Sequence, residues 1–170
     1  MRVTAGGNVY SATIHVRAAS YPSSISIGTS RYGTIEPRVS GDIIAIWQNG
    51  IGCNIFATTN DTYTATIRQV TYEITTENGR TATYSTKIGP SWSGERYNID
   101  TRINIQENTN TLGINNTPCI RVNCPDGVPN DESIYEYNLT ITVEFNSDKE
   151  VSTTARILVL NDSTPIVSAL

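Results

Sequence analysis

The sequence predicts an all-β chain: an antiparallel β-sandwich, immunoglobulin-like or jelly-roll, of about nine or ten strands. Three observations predict it. Apolar and polar residues alternate with a period of two along much of the chain, which sends them to opposite faces of extended strands. The apolar residues are mainly Ile, Val and Tyr beside abundant Thr, with only 2 Phe and 1 Met. That composition suits pleated, half-buried surfaces rather than helix packing. Turn signals then cut the alternating runs into short pieces, and no heptad or internal repeat is visible.

Taken in order, Asn8 to Ala18 places Tyr10, Ala12, Ile14 and Val16 on one face and Ser11, Thr13, His15 and Arg17 on the other. Tyr21-Pro22-Ser23-Ser24 ends this strand, because proline cannot donate to a ladder. Ile25 and Ile27 form a short strand ended by Gly28, and Tyr32 to Glu36 another ended by Pro37. Asp42 to Gln48 contains the continuous apolar run Ile43 to Trp47, expected of a strand covered on both faces. Asn49-Gly50 is a hairpin signal, with Cys53 to Thr58 as the returning strand.

Tyr63 to Thr76 changes phase. Tyr63, Ala65 and Ile67 take odd positions, whereas Val70, Tyr72 and Ile74 take even ones. A one-residue shift flips every later side chain, so a β-bulge or a sheet crossing is expected near Arg68-Gln69. Asn78-Gly79 predicts a second hairpin into Ala82, Tyr84, Thr86 and Ile88. Gly89 to Gly94 is a loop around Trp92, and Tyr97 to Gln106 a strand broken near Asp100-Thr101. Long irregular loops fill 107–133, interrupted by the run Cys119 to Cys124; loops of that length usually serve binding or assembly.

The clearest pattern comes last. Tyr135, Tyr137, Leu139, Ile141, Val143 and Phe145 alternate with Glu136, Asn138, Thr140, Thr142 and Glu144. After the polar turn Asn146 to Lys149 the alternation resumes with Val151, Thr153, Ala155, Ile157 and Val159. Residues 134–160 thus read as a long antiparallel hairpin that needs further strands, since a lone hairpin is marginal in water. The 170 residues suit one domain, 1–170, with a candidate assembly arm at 161–170 carrying the apolar tail Ile166 to Leu170.

A net charge of −4 gives no electrostatic reason to expect nucleic acid as a partner. Met1 to Gly7 holds no apolar run, so no signal peptide is expected there. No run of about 18 apolar residues occurs, so no membrane-spanning helix is expected. Three cysteines, Cys53, Cys119 and Cys124, are not a disulfide framework. Along a straight strand Cys119 and Cys124 stand roughly 17 Å apart, beyond the ~7 Å a disulfide allows. A bent loop between Pro118 and Pro125 would be needed to join them.

No catalytic constellation emerges. His15, the sole histidine, sits on a polar strand face without a nucleophile motif. The cysteine and histidine spacings lack the knuckles of a zinc site. Asp126, Asn130 and Asp131 are the weaker candidates for a cation, as the densest oxygen-ligand cluster, although turns favour the same residues. Sequons stand at Asn60, Asn115, Asn138 and Asn161, Asn138 in mid-strand where glycosylation is unexpected. No cofactor is expected.

What remains is surface for assembly. Trp92 in its loop is costly to expose unless it packs back or meets a partner. Ile166, Val167 and Leu170 form either one more strand of the same sheet or a strand donated to a neighbour. These features lead to the expectation of a non-enzymatic structural protein of a virus particle, in the first place a tail, connector, ring or capsid-decoration subunit of a tailed bacteriophage. It would be made in the host cytoplasm, sit in the virion, and contact copies of itself and other structural subunits. The alternative is a secreted surface fibre or adhesin subunit, extracellular or on a cell surface, and a third reading is a carbohydrate-binding sandwich module.

Overall fold

The computed structural model describes residues 2–32, 37–48, 52–79, 81–87, 96–100, 102–108, 111–125 and 134–161. Among them, β1 (Arg2–Ala5) and β2 (Asn8–Ser11) form a two-stranded sheet that joins neither of the larger ones. In chain order follow β3 (Ser26–Tyr32), β4 (Arg38–Ser40), β5 (Ile43–Trp47), β6 (Gly52–Thr58) and β7 (Ile67–Thr76). Then come β8 (Thr81–Lys87), β9 (Arg96–Asp100), β10 (Ile103–Asn108), β11 (Cys119–Asn123), β12 (Tyr135–Phe145) and β13 (Glu150–Leu160). A single 3₁₀ turn, Ile114–Asn116, is the helical structure of the described residues.

One sheet has five strands in the order β3-β6-β11-β10-β9, the other six in the order β4-β5-β13-β12-β7-β8. Inward residues of both sheets share one core: Ile55, Ile105, Ile120 and Val122 from the first, Ile44, Tyr72, Leu139, Ile141 and Ile157 from the second. The fold is therefore an all-β sandwich of two packed sheets.

The 134–160 hairpin is the spine of the six-stranded sheet. β12 pairs with β13 from Tyr135↔Val159 to Glu144↔Glu150, and the expected alternation appears as burial of Tyr137, Leu139, Ile141, Val143 and Phe145. The turn closes through Phe145 N–H to Lys149 O at 2.8 Å and Asp148 N–H to Phe145 O at 3.2 Å. Asp148 adopts φ 58°, a left-handed conformation that aspartate tolerates.

On the other side of β12 the phase change in β7 is a bulge. Gln69 pairs with Glu144 but Ile67 with Phe145, leaving Arg68 as the extra residue. Its guanidinium reaches Glu144 at 2.6 Å and Asp148 at 3.3 Å. Asn78-Gly79 turns β7 into β8, with Gly79 at φ 76°. The break near Asp100 is a hairpin as well, since β9 and β10 pair antiparallel.

Four expectations are corrected. The sandwich is not purely antiparallel: β5 runs parallel to β13, Ile43 to Trp47 against Arg156 to Leu160. A continuous apolar run marks a covered strand but carries no strand direction. The strands flanking Asn49-Gly50 do not form a hairpin, because β5 and β6 lie in different sheets; Asn49 and Gly50 themselves lie outside the described residues. The strand expected over Asn8 to Ala18 stops at Ser11. Finally, Gly28 ends nothing: β3 passes through it to Tyr32, with the Phe56 ring of β6 over the space a Cβ would fill. A ring that covers a strand glycine restores the packing that the missing side chain forfeits.

Candidate functional site

None of the partner-contact residues expected from sequence can be placed. Trp92, Ile166, Val167 and Leu170 lie outside the described residues, as do Asp126, Asn130 and Asp131 of the candidate cation loop. Among the described residues no group of three His, Cys, Asp or Glu side chains could hold a metal. No helix is long and apolar enough to cross a membrane.

Cys53, Cys119 and Cys124 are buried and stand outside any disulfide. Burial, with Cys119 nearby, pushes the Cys53 thiol up to about 12. Burial also raises Cys119 to about 11, against a lowering by Arg121. Neither is poised as a nucleophile, which requires a depressed value. Among the sequon asparagines, Asn60, Asn115 and Asn138 are exposed, whereas Asn161 is only 4 % exposed.

The structure exposes a feature that sequence reading misplaced. Residues 12–20, whose first part alternates like a strand, are all exposed and belong to no sheet. Ile14 is 64 % exposed and Val16 88 %. Single exposed apolar residues are ordinary, but here two lie on the same face of one strand-patterned segment. Beyond it stands the β1–β2 hairpin, paired with neither large sheet, and an isolated two-stranded hairpin is marginal in water. Residues 2–19 therefore form an arm.

The base of the arm is clamped. Ser20 O accepts from Thr64 N–H at 3.1 Å and Ala65 N–H at 2.9 Å, and Ser20 N–H donates to Thr64 Oγ1 at 3.0 Å. Asp61 accepts from Ser23 through both its N–H, at 2.6 Å, and its hydroxyl, at 2.7 Å. These two bonds hold the Asp61 carboxyl below its usual range. Thr59 Oγ1 donates to Ser24 O at 2.9 Å. The Tyr21 ring packs edge-on against Phe145, centroids 5.3 Å apart, and its hydroxyl donates to Ser147.

A smaller apolar cluster lies on the outer face of the six-stranded sheet, where Leu158 and Leu160 break the alternation of β13. With Ala45 they are buried, and Ile43 and Trp47 pack against them. On the outer face of the other sheet, Asn108 Nδ2 donates to Asn54 Oδ1 at 2.7 Å, and Asn54 Nδ2 donates to Ser30 Oγ at 3.1 Å. The Arg121 guanidinium lies 3.7 Å from the Tyr32 ring centroid, a cation–π contact. Arg121 Nε is buried without a hydrogen-bond partner among the described residues, and neither group gathers a set of catalytic side chains.

No family model matches the chain, and no curated protein matches it. Among solved structures it is similar to murine CRIg, with 7 % identity and a TM-score of 0.36 over 79 % of this chain and 97 % of that one. A likeness at that score carries no argument about function. The sandwich rests on the two sheets themselves.

Proposed function

We propose that this chain is a non-enzymatic structural subunit that assembles through the arm of residues 2–19. The carrying observation is the pairing of an exposed, strand-patterned segment with a clamped base: Ile14 and Val16 face solvent while Ser20 to Ser24 are tied down. A domain with its own core gains nothing in stability from holding such a segment out in water, so a partner surface is its use. The setting we favour is a virus particle, and within it a tail, connector, ring or decoration subunit of a tailed bacteriophage. The sandwich we read as immunoglobulin-like or jelly-roll, its sheets of five and six strands exceeding the simple form of either.

Light-scattering mass of the full chain against concentration tests the reading, together with its search in purified virions. Concentration-dependent oligomers and a virion-borne chain are expected. A monomer at millimolar concentration, absent from particles, would overturn it. Exposed Asn60 and Asn115 support the alternative of a secreted fibre or adhesin subunit, which glycan on the native protein would establish instead.

A further inference from the structure

Among the described residues, one side of the sandwich is open. β3 is an edge of the five-stranded sheet and β4 an edge of the six-stranded one. Between them lies a groove of about 240 Å³ lined by Ile25 and Ile27 on one wall and Val39, Ile44 and Ala155 on the other, with Asp42 at its rim. β4 has only three residues, too few to close this edge. Val39 is consequently 48 % exposed. A cavity of roughly 150 Å³ with apolar walls takes a benzene-sized group, so this groove accommodates more than one aliphatic side chain.

We propose that the strand-patterned segment of the arm, residues 13–17, adds to the β3 edge of a second copy of this chain, with Ile14 and Val16 filling that copy's groove. The proposal rests on the reading of the arm as an assembly element and names its partner and mode. Three observations carry it. First, the donor and the acceptor match. Residues two apart leave the same strand face about 6.6 Å apart, and Ile25 and Ile27 present the same repeat on the wall. Thr13, His15 and Arg17 would remain on the wet side. Second, among the described residues the Ser26 to Ser30 part of β3 pairs with β6 alone, and an unpaired edge is a template for a further strand.

Third, the clamp directs the arm away from the groove of its own chain. Ser26 pairs with Thr58, Ser24 bonds Thr59, Ser23 bonds Asp61 and Ser20 bonds Thr64. The segment 20–26 therefore runs on antiparallel to 58–65, in line with β3 rather than doubling back beside it. Six extended residues carry Ser20 about 20 Å beyond the start of β3. A tight turn at 18–19 that kept these bonds would lay residues 13–17 beside 20–24, short of the groove at Ile25 and Ile27. Each copy then carries one donor arm and one acceptor groove, a head-to-tail contact that closes into rings or propagates as a filament.

The test combines mass measurement with cross-linking of the full-length chain. Val16→Asp on the arm and Val39→Asp in the groove each alter an exposed residue, so the fold is kept, and circular dichroism verifies it. Each is expected to weaken self-association at least about tenfold, the effect of losing one buried aliphatic side chain. Mixing Val16→Cys chains with Val39→Cys chains under mild oxidation should give a disulfide-linked dimer. A disulfide within single chains of the double variant, at monomer mass, would mean closure on the chain's own groove and overturn the proposal. Oligomers that are lost on removal of residues 1–18 but are indifferent to Val39→Asp and yield no cross-link would overturn the groove while sparing the assembly reading. A full chain that stays monomeric would end both.

Discussion

Replacing Phe145 by alanine tests how the arm's base is held to the core. The ring ends β12 at the bulge, is fully buried, and receives the edges of Tyr21 at 5.3 Å and Tyr63 at 6.2 Å. Removing a buried Phe side chain costs about 3–5 kcal/mol. The two edge contacts, at about 0.5–1.5 kcal/mol each, keep this site from the low end of that range, at about 4 kcal/mol. For a chain of this size 1 kcal/mol moves Tm by about 2–4 °C, so a fall of about 8–16 °C is expected by calorimetry. Phe145→Leu keeps aliphatic volume but loses the ring edges, and about 1–2 kcal/mol should separate it from the parent. Hydrogen exchange at Tyr21 to Ile25 should quicken in Phe145→Ala, because Tyr21 loses its seat. A loss under about 1 kcal/mol, with exchange at Tyr21 to Ile25 unchanged, would refute the idea that this aromatic cluster joins the arm's base to the core.

Three further outcomes follow from the same structure. In Gly52→Ala the new Cβ would meet Val122 O at 2.4 Å and Asn123 Cβ at 2.5 Å, on the neighbouring strand β11, so β6 and β11 must separate; a cost of about 1–3 kcal/mol should appear in urea denaturation, and a neutral variant would contradict the close approach. The buried thiols should resist a disulfide reagent at about pH 8 in the native chain and react on unfolding, because burial keeps Cys53 and Cys119 protonated; fast native labelling would refute this. Asp61 has a folded value below its unfolded one, so its contribution is complete above about pH 4 and is lost as pH falls through the folded value. Between about pH 6 and pH 3, Asp61→Asn should therefore lose less Tm than the parent, and parallel profiles would show that the Ser23 clamp adds no stability.

Local pattern determined a good deal of this protein. Alternation from Tyr135 to Val159 specified the β12–β13 hairpin and its buried face. The phase slip between Ile67 and Val70 located the bulge at Arg68, and Asn78-Gly79 its hairpin. These are decided by neighbours in the chain: which way side chains point, and which turn admits a positive φ. Partnership between distant strands is not decided there. Ile43 to Trp47 reads as a covered strand, but only the tertiary structure shows it parallel to β13, in a different sheet from β6 that follows it. The arm shows the same divide. Thr13 to Arg17 has the period of a strand, and in this structure it has no sheet to join, because a strand is completed by a partner's backbone and not by its own sequence. The sequence wrote a strand there; the clamp at Ser20 and the edge strand β3 are what lead us to propose a partner outside the chain that carries it.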